Sequence, residues 1–205
     1  NVLKDLASKN IDMANNLSLA SEAYQELIKA ENEAGKYKFT LQANKALRDM
    51  KSKLVDGAVE DFKAGKFKES SEKSYKVYLF DKKDTLNLFN AASSSMAAKD
   101  YDSAAKYYEE LKKVNYSGKG IIYYATDKKT KQEESFASVN VRKNYLESGQ
   151  YEKPRDEFVP SKRLEINKNL AYIYLEKNDI AKAEICYNKV IEMEPNYIDA
   201  YINLA

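Results

Sequence analysis

The sequence predicts an all-α fold in which helical hairpins stack into an array, and three observations favour it. First, the triplet Asn-Leu-Ala at residues 169–171 recurs 34 residues later at 203–205. Second, the segment between the two copies is typical of a helix, a short polar turn, a second helix and a proline stop. Third, the 205 residues include only six glycines and three prolines, which suits helices joined by short turns.

The residues within this period have the sizes that a stacked helical hairpin needs. Ala171 and Ala183 are small where the two helices of one hairpin would cross closely. Tyr174 and Tyr187 are large enough to fill the space between adjacent helices. Pro195 has no amide hydrogen and ends the second helix. A single hairpin cannot bury both apolar faces, so several are expected to stack on one another.

Residues 1–50 are predicted to form a helical hairpin that caps or continues the array. A helical spacing of apolar residues begins near Asp12 and ends at Gly35. A second spacing begins near Thr40 and continues for roughly 25 residues until Gly65, which is longer than most globular helices. The apolar positions that define the two helices are Leu17, Ala20, Tyr24, Leu27 and Ile28, then Ala43, Leu47, Met50, Leu54, Ala58 and Phe62.

The 34-residue frame places two repeats at 51–84 and 85–118, with a third at 164–197 and the first helix of a fourth at 198–205. The turn at 65–67 has its counterpart one period later at 99–101. The repeat at 85–118 carries the expected residues, whereas the repeat at 51–84 is degenerate. In that first repeat Ser70 and Ser74 replace the expected alanine and aromatic residue. Because the chain begins at Asn1 and stops within a helix, we expect it to be part of a longer array.

Residues 119–163 interrupt the frame as a 45-residue insertion. Its β-branched and aromatic start at 120–125, the polar segment 127–131 and a return at 133–139 predict a β-hairpin. A short helix is predicted at 139–148, ended by Gly149. Pro154 and Pro160 predict an extended link to Ser161, a candidate N-cap for the next helix.

The composition provides no basis for catalysis, a metal site or a cofactor. The chain has no histidine, which removes the commonest general base and metal ligand. Its single cysteine, Cys186, is expected to be a buried small residue rather than a reactive thiol. Glu133 and Glu134 are neighbours on a predicted strand and therefore point to opposite faces. No phosphate loop, nucleophile motif or membrane-spanning apolar segment is present.

The repeats at 51–118 and 164–205 resemble the tetratricopeptide repeat family. That resemblance implies a right-handed superhelix of helical hairpins and a non-catalytic scaffold that binds another protein or a peptide, including assembly in a larger complex. Residues 123–136, 153–158 and 161–174 also resemble an exported subgroup of these proteins common in Bacteroidetes. This second resemblance implies a periplasmic or cell-envelope location; without it, the cytoplasm would be expected.

In the family, a groove is lined by the first helices of successive repeats. The corresponding positions are Val55, Val59, Phe62, Phe89, Ser93, Met96, Lys168, Tyr172 and Leu175. The family's best-known groove clamps a partner's terminal carboxylate with Lys, Asn and Arg, but this chain has Val55 and Val59 where the first Lys and Asn would stand. Only Asn90, Lys168 and Asn169 have suitable chemistry. We therefore expect a partly apolar groove for a helix or extended peptide, and the alternative for its aromatic residues is packing between helices.

The insertion is a second candidate binding surface. It holds ten Lys and Arg against seven Asp and Glu, a net charge of +3, whereas the rest of the chain holds 24 against 25. This surface would bind an acidic partner, and it supports an alternative function as a cell-envelope module for glycans or polyanions; ordinary solvated surface is the other interpretation. Its candidate residues are Tyr123, Tyr124, Lys128, Lys129, Lys131, Arg142 and Lys143.

Two further expectations concern these surfaces. Tyr123 and Tyr124 alternate faces on a strand, so one is expected to pack on the helices and the other to be exposed.

The whole chain carries a net charge of only +2, which argues against a general polyanion binder, and we expect no nucleic-acid partner.

Overall fold

The computed structural model describes residues 13–205, with side chains from residue 19. Residues 1–12 and the Leu17 side chain, which belong to the predicted N-terminal hairpin, lie outside the described residues. The helices are α1 (Met13–Ala34), α2 (Thr40–Lys63), α3 (Phe67–Phe80), α4 (Thr85–Ala97), α5 (Tyr101–Lys113), α6 (Val139–Glu147), α7 (Arg163–Glu176), α8 (Ile180–Met193) and α9 (Ile198–Leu204). The strands, which precede and follow α6, are β1 (Gly120–Asp127), β2 (Glu133–Phe136) and β3 (Tyr151–Val159).

The predicted fold class is confirmed. Helices account for 66% of the structure, and a small antiparallel sheet fits the predicted hairpin of the insertion. In the described part of the chain, none of the helices combines the length and apolar character needed to cross a membrane.

The chain divides into two compact units. The first comprises the described residues up to Asn115 together with Asn169–Ala183. The second comprises Tyr116–Lys168 and Glu184–Ala205.

The first unit begins with the hairpin of α1 and α2. Ala20 of α1 joins a buried cluster with Met50 and Leu54 of α2 and Val77 of α3. The Glu31 carboxylate accepts hydrogen bonds from the Phe39 and Thr40 amides. Amides at the start of a helix such as α2 have no partner within the helix. These bonds hold the pKa of Glu31 below its ordinary value, chiefly through the Thr40 hydroxyl.

The turns between paired helices adopt the same backbone at the same repeat position. Gly65, Lys99 and Asn178 have φ of 74°, 57° and 58°, the left-handed conformation common just after a helix end. The next residue at two of these turns caps the following helix: the Asp100 carboxylate accepts from the Ser103 amide at 3.2 Å, and Asp179 accepts from the Lys182 amide at 3.3 Å. The short turns follow from these local preferences.

The insertion, within the second unit, folds as a three-stranded antiparallel sheet in the order β2-β1-β3. The predicted hairpin of β1 and β2 is confirmed, but the segment 151–159 is a strand rather than an unpaired link. Pro154 is accommodated because β3 is an edge strand whose pairing with β1 is irregular between Tyr124 and Thr126. Lys153, beside the proline, has a φ of 52°.

Candidate functional site

The first unit contains a pocket of about 320 Å³ between α2, α3 and α4. Val55, Val59 and Phe62 lie one helical turn apart along α2 and form its apolar wall. Val59 and Phe62 remain 46% and 47% exposed, so the pocket opens to solvent. The pocket is lined by Val55, Ala58, Val59, Phe62, Lys63, Ser70, Ser74, Asn87, Phe89, Asn90, Ser93 and Ser94.

Five of the nine predicted groove residues line this pocket: Val55, Val59, Phe62, Phe89 and Ser93. Their spacing explains this proximity, because residues three or four positions apart share one face of a helix. Their role in binding a partner remains a prediction. Phe89 is only 7% exposed and packs edge-on against Tyr108, with ring centroids 6.3 Å apart. It therefore also supports the core.

The other predicted groove residues lie elsewhere. Half-buried Met96 lies on α4 and is absent from the pocket lining. Tyr172 packs edge-on against Tyr101, with ring centroids 5.9 Å apart. Their contact raises the pKa of Tyr172 to about 12, and Glu176 contributes in the same direction. Leu175, like Tyr172, belongs to the part of α7 in the first unit.

Lys168 belongs to the second unit, where its ammonium group pairs with Glu194 at 2.7 Å and lies 3.6 Å from the centre of the Tyr197 ring. Asn169 donates to the Tyr108 hydroxyl in the first unit. The residues with suitable chemistry for a carboxylate clamp therefore already have protein partners, apart from the exposed Asn90, which lines the pocket.

Sequence reasoning missed the floor of the pocket. Ser70 and Ser74 of α3 lie there, and both are 2% exposed. The Ser70 hydroxyl lies 3.1 Å from that of Ser94, so the two share a hydrogen bond. The signal was present in the sequence, because serine stands at these two positions where a repeat usually has alanine and an aromatic residue. A missing ring between stacked helices leaves room.

Asp84 fixes the start of α4 beside the pocket. Its carboxylate accepts from the backbone and side-chain nitrogens of Asn87, a lining residue, at 3.2 and 3.0 Å. It also pairs with Lys51 of α2 at 2.8 Å. Burial acts to raise the pKa of Asp84, but the hydrogen bonds from Lys51 and Asn87 outweigh burial, so the pKa lies below its ordinary value of 3.8. The ion pair thus joins α2 to α4.

In the insertion, the placement of Arg142 contradicts its prediction as a surface residue. Its side chain is buried, with 8% exposure. The guanidinium donates to the Arg155 carbonyl at 2.8 Å, the Asp156 carboxylate at 2.6 Å and the Tyr124 carbonyl at 3.3 Å. It also lies over the Tyr123 ring, 5.2 Å from its centre. All three bonds come from one terminal nitrogen, Nη1, which thereby joins α6 to β1 and β3.

The remaining residues of the predicted insertion surface differ in their surroundings. Lys128 and Lys129 are exposed at the hairpin tip, where the Asp127 carboxylate accepts from the Lys129 amide at 2.7 Å. Lys131 pairs with Glu152 at 3.1 Å, and Lys143 pairs with Glu147 at 3.7 Å. Carboxylates therefore offset part of the positive charge of this surface.

The expectation that one of the two adjacent tyrosines is exposed is wrong, because both are half-buried. Tyr123 lies beneath Arg142. Tyr124, on the opposite face of β1, lies beneath the Arg155 guanidinium, 4.3 Å from the ring centre. Each ring is thus covered by a cation from a neighbouring element.

The acidic side chains and the single cysteine of the described residues were the remaining candidates for a metal site. No cluster of three or more Cys, Asp or Glu side chains suited to a metal ion occurs among them. Cys186 is buried, with 2% exposure.

Comparison with known proteins finds one segment that is similar to a known family. Residues 87–115 match the family model of the tetratricopeptide repeat. This segment is similar to a tetratricopeptide repeat. It comprises most of α4 and the whole of α5, and it lies within the repeat predicted at 85–118. No curated protein matches the chain.

Tetratricopeptide repeats generally mediate protein–protein interactions and are typically non-catalytic. Stacked repeats offer extended surfaces to which a partner binds. The pocket is located partly on the matched repeat, through Asn87, Phe89, Asn90, Ser93 and Ser94.

Proposed function

We propose that this chain is a non-catalytic scaffold that binds a peptide segment of another protein at the pocket between α2, α3 and α4. The observation that carries the proposal is the apolar wall of Val55, Val59 and Phe62 facing a solvent-open cavity of about 320 Å³. Ligand pockets are typically apolar concavities with a few polar groups that fix orientation. Here the exposed Asn90 at the pocket supplies such a group.

The proposal is tested by selecting peptides from a phage-displayed library on the whole chain and measuring the affinity of the selected peptides. Val59→Lys with Phe62→Lys places two charges on the exposed wall, so we expect at least about a tenfold loss of affinity. Leu79→Lys is the matched control, because Leu79 is an apolar residue of α3 with the same 47% exposure as Phe62 and lies outside the pocket lining. Peptides that bind all three proteins equally would refute the pocket as the binding site.

The choice of variants follows from burial. Phe89 also lines the pocket, but its replacement by alanine would remove a ring that packs on Tyr108. Truncating a buried phenylalanine costs about 3–5 kcal/mol of stability, which would obscure a loss of binding. Val59 and Phe62 avoid this difficulty because about half of each residue's surface is exposed.

The alternative function, binding of a glycan or polyanion through the insertion, has weaker support from the geometry. Arg142 is buried, and Lys131 and Lys143 pair with carboxylates. Lys128 and Lys129 at the hairpin tip are its remaining lysine candidates. Binding of heparin at about 50 mM salt, abolished by Lys128→Glu with Lys129→Glu but not by Lys112→Glu with Lys113→Glu, would establish it.

The proposed location in the periplasm or cell envelope rests on the resemblance of residues 123–136, 153–158 and 161–174 to an exported subgroup of repeat proteins. Fractionation of native cells with an antibody against the chain tests it. Recovery of the protein only with cytoplasmic markers would overturn this proposal.

A further inference from the structure

Ser74 and Tyr108 occupy the same position in consecutive repeats, 34 residues apart. The surroundings of the Tyr108 side chain include Phe89, Ser93 and Asn169. The ring packs edge-on against Phe89, its hydroxyl lies 3.5 Å from the Ser93 hydroxyl, and it accepts a hydrogen bond from Asn169 at 2.8 Å. The side chain is fully buried.

Val55 and Val59 stand 34 residues before Phe89 and Ser93. Asn90 has the position in the repeat at 85–118 that Asn169 has in the repeat at 164–197. All three line the pocket, and Ser74 lies at its floor. The first repeat thus keeps the walls that enclose a tyrosine in the second repeat but lacks the ring itself. The pocket is the space that results from this difference.

The polar groups of the pocket favour a particular ligand. The Ser70 and Ser94 hydroxyls bond to each other, and the Asn87 side chain donates to Asp84. The interior therefore presents mainly apolar surface to a ligand, while the exposed Asn90 corresponds to the residue that donates to the Tyr108 hydroxyl. Lys63 is the only charged residue among those that line the pocket, so the lining carries a net positive charge.

We propose that the pocket binds a tyrosine side chain of an acidic partner peptide. The ring would fill the space above Ser74, its hydroxyl would accept from Asn90, and a carboxylate next to the tyrosine would approach Lys63. Aromatic side chains suit this role because they bury a large area and their hydroxyl retains a hydrogen-bond partner. This inference rests on the proposed function and specifies the chemistry of the partner at the same site.

The direct test is a titration of the ¹⁵N-labelled whole chain with the amide of acetyl-Asp-Tyr-Asp, followed by NMR. The expected result is saturable shifts of the Val59, Asn90 and Ser93 amides. The same peptide with leucine or alanine in place of tyrosine should lose at least about tenfold in affinity, because the tyrosine ring is no longer buried. Equal binding of the leucine peptide would overturn the inference.

Ser74→Tyr supplies the missing ring from within the chain and should abolish the shifts, whereas Ser74→Ala should retain them. Circular dichroism checks the helical content of both variants. Val59→Glu provides an independent variant at the exposed rim, where the new carboxylate repels the acidic peptide and should weaken binding about tenfold. Unchanged binding by folded Ser74→Tyr would place the tyrosine elsewhere and contradict the proposal.

The peptide selection separates this inference from the proposed function. Selected peptides that bind at Val59 and Phe62 but lack an aromatic residue would leave the scaffold proposal standing and overturn the tyrosine pocket. Failure to select any peptide, combined with no saturable binding of the short probe, would count against both proposals. Selected sequences with a tyrosine flanked by acidic residues would support both.

Discussion

Asn169 donates a hydrogen bond to the Tyr108 hydroxyl at 2.8 Å across a sequence separation of 61 residues. Tyr174 donates to Glu109 at 3.0 Å, and Lys177 pairs with Asp102. The part of α7 in the first unit therefore packs on α5, the helix that precedes the insertion. The 45-residue insertion interrupts the 34-residue frame in sequence. These contacts nevertheless join α5, which precedes the insertion, to the part of α7 that follows it.

The hydrogen bond between Asn169 and Tyr108 can be tested with a double-mutant cycle. Tyr108→Phe and Asn169→Ala should each lower the free energy of unfolding by about 1 kcal/mol, because each removes one partner of a bond at a buried hydroxyl. The cycle should give a coupling energy of about 0.5–1.5 kcal/mol in urea unfolding. Tyr108→Phe with Lys177→Ala is the control pair and should be additive, since Lys177 pairs with Asp102 instead.

Arg142 is expected to be the main polar link within the insertion. Arg142→Ala removes three hydrogen bonds from a buried guanidinium and should destabilise the sheet by about 2–4 kcal/mol. Hydrogen exchange of the β1 and β3 amides measures the effect. Lys143→Ala, at the adjacent and exposed position, should leave exchange unchanged. Similar exchange in both variants would contradict the role assigned to Arg142.

Helix positions were predictable because local signals and the repeat frame agree. The 34-residue period, the small residues at crossings and the turn residues that follow helix ends all specify the same hairpins. The predicted hairpin from β1 to β2 rested on β-branched and aromatic residues beside a polar turn. Fold class is therefore encoded by short-range patterns in this chain.

Features that depend on distant partners were predicted less well. Pro154 indicated an unpaired link because proline lacks an amide donor, but an irregular edge strand tolerates that loss. Arg142 was assigned to the surface by its charge, and its carbonyl partners became known only from the sheet. The pocket above Ser74 exists because Ser74 has no aromatic ring where the next repeat has Tyr108. This difference is recognised only when the two repeats are compared.

The ion pair between Asp84 and Lys51 should make the first unit sensitive to acid. Because the native pKa of Asp84 lies below its ordinary value of 3.8, its contribution to stability is present above pH 3.8. This contribution is lost as the pH falls through the native pKa. Asp84→Asn retains a capping oxygen but loses the charge, so it should cost about 0.5–1 kcal/mol at pH 7.

The pH dependence gives the decisive comparison. The difference in unfolding free energy between wild type and Asp84→Asn should shrink as the pH falls below 3.8, because the wild-type carboxylate becomes neutral. Asp100→Asn is the control for the loss of a helix-capping carboxylate, since Asp100 caps α5 by accepting a hydrogen bond from the Ser103 amide. A difference for Asp84→Asn that is constant between pH 7 and pH 2.5 would show that the charge contributes nothing.

Asn167 occupies the repeat position at which Leu54 and Leu88 are fully buried. It is itself only 5% exposed, and its side-chain nitrogen donates to the Arg163 carbonyl at 2.7 Å. Its side-chain oxygen has no hydrogen-bond partner in the described part of the chain. A buried polar atom without a partner costs about 1–3 kcal/mol.

Asn167→Leu should therefore raise the free energy of unfolding by about 1 kcal/mol, because it removes the unpartnered oxygen and restores the apolar residue of the other repeats. Asn169→Leu, the same substitution two residues later in α7, should have the opposite sign because Asn169 donates to Tyr108. Urea unfolding measures both changes. Destabilisation by Asn167→Leu would contradict this prediction. It would mean that the Asn167 side-chain oxygen accepts a hydrogen bond in solution, for example from a buried water, and that this polar side chain stabilises the fold.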